Sequence, residues 1–170
     1  PGYSFDRLLY CQTEGVAPAA RAKAIEELRR LPCVERVSSA DALPVFGSGG
    51  NNAFYDDKKA FNFSDLSEVD TAYFATMNIP IIDGRNFTDA DARKQDAATL
   101  ICNQKMVLEN PQLIPGKRLA DGFVADIVGT SADMHFTSLR KPVDPFALML
   151  VSTKSSQVLN FCYVKIKAGT

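Results

Sequence analysis

The sequence predicts an α+β chain in which mixed β-sheets are covered by a few helices. Apolar residues make up 46% and charged residues 23% of the 170-residue chain, which is ordinary composition for a protein with its own core. Short apolar runs of strand length are separated by turn residues and by one clear helical pattern. A strand, a helix and a strand follow one another over residues 7–40, so at least one β-α-β unit is expected.

Charge and hydropathy exclude several classes of function. The formal net charge of -1 provides no basic field for nucleic acid. The longest apolar runs, such as residues 146–151, are strand-sized, whereas a membrane-spanning helix needs about 20 apolar residues. No signal-peptide pattern precedes the first strand. Because the chain opens on Pro1 rather than Met, we expect it to be an excised piece of a longer protein.

The β-α-β unit is indicated by its spacing. Residues 7–13 are predicted to be a strand, and Pro18 suits the first turn of the helix that follows. The helix carries one apolar stripe at helical spacing, made of Ala24, Ile25, Leu28 and Leu31. Residues 32–43 follow as a second strand, with alternation at Val34 and Val37.

The next segment, "PVFGSGGNNAFYDDKK" at residues 44–59, is predicted to be a surface loop, because glycine, serine and asparagine cluster there. It lacks the lysine of a phosphate-binding Walker loop and the three-glycine spacing of a dinucleotide site. Phe46, Phe54 and Tyr55 stand among these polar residues, and we hypothesise that they contact a partner or substrate. A plain loop without a function is the alternative.

The remaining elements follow in order. Strands are predicted over residues 60–70, 122–134, 146–152 and 160–167, and helices over 71–77 and 87–95. Residues 97–110 are predicted to be a strand running into a helix, and residues 115–119 a turn into a strand. Residues 83–85, "DGR", are predicted to be a turn.

The four cysteines, Cys11, Cys33, Cys102 and Cys162, are widely spaced and form no CxxC pair. With a single histidine they do not suggest a metal site. All but Cys33 lie in apolar strand-like runs and are predicted to be buried free thiols. A disulfide between Cys11 and Cys162, whose strands we place in one sheet, is the alternative.

The stretch "VDTAYFATMNIPIIDGRNFTDAD" at residues 69–91 contains four aspartates, and paired carboxylates serve some hydrolases. A structural explanation accounts for them better. Thr88 and Asp91 fit a capping box at the head of a helix. We therefore predict a scaffold here rather than a catalytic site.

The turn in this stretch has structural explanations as well. Gly84 suits a position with positive φ. Arg85 is expected to pair with Asp83 or Asp70, or to cover the turn with its stem.

His135 lies two residues after Asp133, with Ser131 and Ser138 nearby, which invites comparison with a catalytic triad. No Gly-x-Ser-x-Gly elbow occurs in the sequence. We expect instead that Asp133 caps a short helical turn and that His135 packs at its edge. A free-standing hydrolase remains an alternative.

Six motifs in order resemble one family. They are "PGYSFDRLLY", "AIEELRRLPCVERVSSADALP", "VDTAYFATMNIPIIDGRNFTDAD", "LICNQKMVLEN", "IPGKRL" and "ADIVGTSADMHFTSLRKPVDPFALML". Together they resemble the MacB-like periplasmic core domain of ABC transporter permeases with an FtsX-like membrane region. The third motif is similar to the family's signature of Tyr-Phe, Gly-Arg, Phe and Asp. In the second motif, Cys33 stands where the family usually has a glycine. The resemblance covers nearly the whole chain.

The resemblance implies a non-catalytic extracytoplasmic domain on the periplasmic side of the bacterial inner membrane, without cofactor or metal. It implies as partners the chain's own membrane helices and a cytoplasmic ATPase domain or subunit. A second permease copy and a periplasmic partner are further candidates. Such a domain is thought to transmit motion from the ATPase outward; the transported substrate is not indicated.

The resemblance also implies a division of the chain. Residues 1–43 and 152–170 would form a β-α-β porter-like part, and residues 44–151 an inserted mixed α/β lobe. The family continues with a further helix and strand, so the first part is expected to be incomplete or closed in some other way. A free-standing periplasmic solute-binding module is the remaining alternative.

Overall fold

The computed structural model describes residues 2–44, 52–57, 59–135, 138–152 and 159–169. The strands in these ranges are β1 (Leu8–Gln12), β2 (Val34–Ala40), β3 (Asn52–Asp56), β4 (Lys59–Phe63), β5 (Asp65–Val69), β6 (Ile81–Gly84), β7 (Ala98–Asn103), β8 (Arg118–Leu119), β9 (Ala125–Ser131), β10 (Phe146–Leu150) and β11 (Phe161–Ile166). The helices are α1 (Pro18–Arg30), α2 (Tyr73–Met77), α3 (Asp89–Ala92) and α4 (Gln104–Glu109). None of these helices has the length and apolar character needed to cross a bilayer. The predicted α+β class is confirmed.

Most of the described strands belong to one mixed sheet. Its order is β1-β11-β2-β5-β10-β7-β9-β6, with β8 added on β9, while β3 and β4 pair as a separate hairpin. β5 and β10 run parallel, as do β7 and β9, and the other pairs are antiparallel. Such a mixture is what the sequence predicted.

The predicted β-α-β unit is present at one end of the sheet. β1 and β2 both pair antiparallel with β11, which lies between them, so the two strands joined by α1 run parallel to each other. This is the split β-α-β arrangement. Ile25 and Leu28 of α1 pack on a small core formed by Val34, Val37, Cys162 and Val164.

A short seam joins this unit to the rest of the sheet. β2 pairs with β5 only through Ala40 and Val69, whereas β2 and β11 pair along six residues. Two backbone hydrogen bonds flank the contact, from Asp41 N to Glu68 O and from Asp70 N to Ser39 O, at 3.0 and 3.1 Å. We call this contact between β2 and β5 the seam.

Two larger cores cover the two faces of the sheet. One crosses the seam and contains Tyr73 of α2 and Tyr163 of β11, whose rings meet edge to face at 6.0 Å. The other lies under the β3–β4 hairpin and α4. Along β7 the side chains alternate between them, because Ile101 belongs to the first core and Leu100 and Cys102 to the second.

Several predictions about elements were wrong. Residues 52–56 form β3 rather than loop, because Phe54 packs inward and pairs with Phe61 of β4. The predicted strand over 60–70 is divided at Ser64 into β4 and β5, which belong to different sheets. The predicted turn at 83–85 overlaps the end of β6, which pairs with β9. The "GSGG" part of the predicted loop lies outside the described residues.

Two of the three cysteines predicted to be buried, Cys102 and Cys162, are buried, but Cys11 is exposed. β1 is the last strand of the sheet in the described chain, and α1 packs over β2 and β11 rather than over it. A strand-like pattern does not reveal whether the strand will lie at an edge.

Candidate functional site

The Gly-Arg turn is held by an ion pair between half-exposed Arg85 and buried Asp91. Arg85 donates from Nη1 to Asp91 Oδ2 at 2.6 Å and from Nη2 to Oδ1 at 2.9 Å. Only 3% of the Asp91 side chain is exposed. Hydrogen bonds from Arg85, and then from Thr88, lower the pKa of Asp91 to about 2 despite its burial. The expected pairing of Arg85 with Asp83 or Asp70 is therefore wrong.

The capping box explains why Asp91 receives Arg85. Asp91 N donates to Thr88 Oγ1, and Thr88 N donates back to Asp91 Oδ2 at 2.9 Å, so the predicted box is confirmed. This reciprocal pair turns the Asp91 carboxylate toward the chain before the helix, where Arg85 lies. The partner of Arg85 thus follows from the cap.

Gly84 is required by both its conformation and its surroundings. Its φ is +69°, as predicted, and a Cβ there would lie 2.4 Å from Val128 O and 2.7 Å from Pro115 Cβ. A side chain would therefore push β6 away from β9.

The other aspartates of the stretch also serve structural partners. Asp70 accepts from Ser38 Oγ and Ala72 N through Oδ1, and from Ser39 N through Oδ2. Asp83 accepts from Gly84 N at 2.8 Å. These bonds support the scaffold interpretation of the acidic stretch.

Asp133 and His135 make separate contacts. Asp133 Oδ1 accepts from Asn103 Nδ2 at 2.9 Å and from Lys105 N at 2.8 Å, so it caps the first turn of α4. His135 Nδ1 lies 3.0 Å from Ser138 O. Asp133 is a capping residue as expected, but the helix it caps is distant in sequence. No group of three His, Cys, Asp or Glu side chains suited to a metal occurs within the described ranges.

Two acids lie beside the seam. Burial raises the pKa of Glu68, and the nearby Asp41 charge raises it further. Burial is also the main cause that raises the pKa of Asp41. Hydrogen bonds from the Glu68 backbone and the Ser67 side chain lower the pKa of Asp41 in part. One oxygen of each carboxylate, Asp41 Oδ1 and Glu68 Oε2, has no hydrogen-bond partner among the described residues, so burial of these charges is incompletely compensated.

An exposed apolar patch lies where the β3–β4 hairpin meets the start of β9. Tyr55 is 51% exposed, and Phe123 and Val124 are each 37% exposed. We call these three residues the aromatic tip. Tyr55 forms a β-bridge with Asp121, and an ion pair between Lys117 and Asp56 holds the hairpin to the sheet.

The sequence-predicted contact residues have different positions. Phe54 is only 4% exposed, and its ring stacks on Phe123 at 5.5 Å and packs on Phe63 at 4.3 Å. It supports the aromatic tip from below, whereas Tyr55 belongs to it. Phe46 lies outside the described residues.

The first and last described segments lie side by side. Ile166 N donates to Arg7 O at 2.9 Å, and Arg7 Nη1 donates to Ile166 O at 2.8 Å. Gly2 to Phe5, which we call the incoming segment, continues onto the other part of the fold. Ser4 N donates to Met77 O at 3.0 Å, and Tyr3 is buried in the core that crosses the seam.

No protein-family model matches the sequence, and no curated protein matches it. Solved structures do. The periplasmic region of MacB from Actinobacillus actinomycetemcomitans aligns with 99% of this chain and 78% of its own, at a TM-score of 0.63 and 13% identity. The chain has the fold of the MacB periplasmic region. A permease domain from Porphyromonas gingivalis gives a TM-score of 0.62 at 18% identity, over 100% of this chain and 78% of its own.

The MacB-like fold is also found in a third solved structure. The extracellular domain of the noncanonical ABC-type transporter YknZ from Gram-positive bacteria aligns with 95% of this chain and 83% of its own. Its TM-score is 0.55, at 18% identity. At such identities the likeness concerns the fold, and it includes both the split β-α-β unit and the rest of the sheet. The resemblance recognised in the sequence motifs is therefore confirmed at the level of fold.

Sequence reasoning missed part of the exposed surface of this MacB-like fold. Phe123 and Val124 were assigned to a buried strand, but they precede the first residue of β9. The available signal was the "DG" turn directly before them, which delays the strand by two residues.

Proposed function

We propose that the chain is an extracytoplasmic domain of an ABC transporter permease, on the periplasmic side of a bacterial inner membrane. In this proposal it is not catalytic and couples ATP hydrolysis in the cytoplasm to movement of a substrate across the envelope. The observation that carries the proposal is the likeness in fold, over at least 95% of the chain, to three extracytoplasmic or permease domains.

The adjacent ends of the chain support an attachment to two membrane helices. Because Arg7 and Ile166 are hydrogen-bonded neighbours, segments preceding β1 and following β11 leave the sheet at the same end. A membrane helix following β11 would act on this edge, whereas one preceding the incoming segment would also act on the core that crosses the seam, where Tyr3 and Ser4 are held. Lys165 Nζ also donates to Asp6 O, which strengthens the connection between the two ends.

The short seam supports the proposed division into a porter-like part, residues 1–43 and 152–170, and an inserted lobe, residues 44–151. A single paired position between β2 and β5 resists bending less than the long β2–β11 pairing. We propose that the two parts change their relative position at the seam when the membrane helices move. The free side of β1 in the described chain fits the further helix and strand that would complete the first part.

The aromatic tip is the surface we propose for a substrate or a periplasmic partner. Tyr55 lies on the hairpin, which the Lys117–Asp56 ion pair holds, and Phe123 and Val124 lie in the segment just before β9. All three side chains are exposed, and exposed apolar residues at one edge of a domain often mark contact sites. The membrane helices, and through them the ATPase, would act on the domain at the segments before β1 and after β11, away from the aromatic tip.

The location is tested by labelling in whole cells. Lys23, whose side chain is 79% exposed, is replaced by Cys in the full parent protein carrying Cys11→Ser and Cys33→Ser. A membrane-impermeant maleimide is then applied to intact spheroplasts. We expect labelling without lysis; labelling only after lysis would place the domain in the cytoplasm and overturn the proposal.

The motion is tested in the full parent protein carrying Cys11→Ser and Cys33→Ser. Lys23 and Leu108, which is 69% exposed, are each replaced by Cys and spin-labelled. Distances are measured in the reconstituted transporter without nucleotide, with ATP and with a trapped transition-state analogue. We expect a shift between nucleotide states. One unchanged distance in every state of an actively transporting sample would contradict the proposed movement at the seam, although not the location.

A further inference from the structure

Two cysteines lie directly opposite each other in neighbouring strands. Cys11 of β1 is paired with Cys162 of β11 in an antiparallel register. Directly opposite residues project to the same face of a sheet, so the two side chains are neighbours on one face of β1 and β11. The register thus places the two side chains together; a disulfide additionally requires their Cβ atoms to approach to about 3.5–4.5 Å, and β1, at the edge of the described sheet, is paired on one side only.

The hydrogen-bond pattern indicates the backbone separation at this position. Thr13 N donates to Asn160 O, and Ile166 N donates to Arg7 O, in the same ladder. Hydrogen-bonded pairs recur at every second residue of an antiparallel ladder, so the Cys11–Cys162 pair is of this kind, with Cα atoms about 5.5 Å apart. Disulfides span Cα separations of about 4.4–6.8 Å.

The two thiols differ in access. Cys11 is exposed, whereas Cys162 is buried. Burial and the neighbouring Cys11 raise the pKa of Cys162 to about 12. An oxidant in solution therefore reaches Cys11 first, and Cys162 is held as the second, resolving thiol.

We propose that Cys11 and Cys162 form a reversible cross-strand disulfide, with a low-molecular-weight disulfide as the oxidant. The Cys11 thiolate attacks one sulfur of the oxidant and expels a thiolate, forming a mixed disulfide. Cys162 then loses its proton to solvent and attacks the Cys11 sulfur, expelling the second thiolate. The protein loses two electrons and two protons, and the oxidant is reduced to two thiols.

The other cysteines are not placed to compete. Cys102 is fully buried in β7, separated from β11 by β2, β5 and β10. Cys33 lies at the junction of α1 and β2 and packs against the small core beneath that helix. The strand pairing thus selects one pair among the four thiols.

A disulfide here would fix the first strand to the last. It closes a loop of about 150 residues, and cross-links that close long loops restrict the unfolded chain most. We expect oxidation to raise the melting temperature by about 5–15 °C. The bond would also hold together the two strands through which the chain ends are connected. This consequence does not depend on the proposed transport function.

The test uses the folded chain carrying Cys33→Ser, equilibrated with mixtures of reduced and oxidised glutathione and then trapped with acid. Intact mass and peptide mapping follow the loss of two hydrogens and the Cys11–Cys162 peptide. We expect a single oxidised monomer with this linkage and a raised melting temperature. Cys11→Ser, at an exposed position, should keep the fold and lose both signals.

Three outcomes would overturn the proposal. They are a stable glutathione adduct on Cys11, a Cys11–Cys11 dimer as the main product, or two free thiols under every oxidising mixture. Cys11→Ser also separates this inference from the effects of misfolding, since its reduced melting temperature should equal that of the reduced parent.

Discussion

The hydroxyl of Ser38 donates a hydrogen bond of 2.7 Å to the carboxylate of Asp70, and this contact crosses the seam between β2 and β5. The same carboxylate accepts from Ser39 N at 2.9 Å and from Ala72 N at 3.0 Å. One side chain therefore holds the end of β2 and the start of the turn into α2. Backbone pairing is short at this place, so side-chain contacts contribute a large share of the connection.

Asp70→Ala should weaken the seam. It leaves the Ser38 hydroxyl and two backbone N–H groups without their acceptor, and such losses cost about 1–3 kcal/mol. Urea unfolding followed by circular dichroism measures the change. Asp83→Ala is the matched control, because exposed Asp83 accepts a hydrogen bond from the neighbouring Gly84 N and from no other group in the described part of the chain. Equal losses of stability in the two variants would contradict a special role of Asp70.

Asp91→Asn should destabilise the protein at neutral pH and have less effect in acid. The folded pKa of Asp91, about 2, lies below its ordinary value of 3.8. Its ionised form therefore stabilises the fold above about pH 4, and this contribution is lost as the pH falls through about 2. The shift corresponds to a loss on the order of 2 kcal/mol at pH 7. Urea unfolding at several pH values should show the two proteins converging below pH 4; a constant difference would exclude the ion pair as its cause.

Glu68→Gln should have the opposite sign. Burial and Asp41 raise the pKa of Glu68 above its ordinary 4.5, so protonation favours folding. The stability associated with this group is fully present below pH 4.5 and is lost as the pH rises through the raised value. A neutral amide of the same shape should therefore increase stability at pH 8, by about 1 kcal/mol, and make no difference near pH 4.

The control for this variant is Glu27→Gln on the exposed side of α1, which should change stability little at any pH. If Glu68→Gln destabilised the protein at pH 8, the Glu68 carboxylate would have to be stabilised by groups outside the described residues.

Local spacing predicted the features that depend on a few neighbouring residues. The Thr88–Asp91 capping box and the positive φ of Gly84 are of this kind, and both are present. The partner of Arg85 was missed because two local aspartates competed with Asp91, and only the geometry of the cap decides among them. The helix capped by Asp133 was missed because α4 is 28 positions away in the chain.

The position of each strand in the sheet and its register were harder to predict from the sequence. The sequence indicated that the strands of Cys11 and Cys162 share a sheet, but not that the two residues are opposite or that β1 lies at its edge. Similarly, the inward position of Phe54 depends on its pairing with β4, and glycines and asparagines around "AFYD" hid the alternation. The aromatic tip could be predicted only in part, since Phe123 comes from a distant segment.

Phe54→Ala and Tyr55→Ala should separate support of the aromatic tip from exposure on it. Removing the buried Phe54 ring leaves a cavity between Phe63 and Phe123 and should cost about 3–5 kcal/mol. Tyr55 is half exposed, so its removal should cost less than about 1 kcal/mol. Thermal and urea unfolding give both values. A loss in Tyr55→Ala as large as that in Phe54→Ala would show that Tyr55 is a structural residue rather than a free contact surface.

Gly2→Ala should detach the incoming segment from the rest of the fold. Gly2 has a φ of +84°, and a Cβ would lie 2.1 Å from Asp133 O and 2.6 Å from Met134 Cα. Gly15 has a similar φ of +76° with nothing within 4 Å of the added Cβ. Both substitutions carry the strain of positive φ, about 1–3 kcal/mol, so Gly15→Ala controls for it.

The readout is hydrogen exchange of the Ser4 amide, which is bonded to Met77 O. In Gly2→Ala we expect this amide to exchange at least about 10-fold faster, an opening less costly by about 1.4 kcal/mol, while amides of β7 and β9 keep their protection. In Gly15→Ala the Ser4 amide should be unchanged. If Ser4 kept its protection in Gly2→Ala, the close contact with Asp133 would not be what holds the incoming segment. A force on that segment would then reach the inserted lobe through the Ser4–Met77 hydrogen bond and the buried ring of Tyr3.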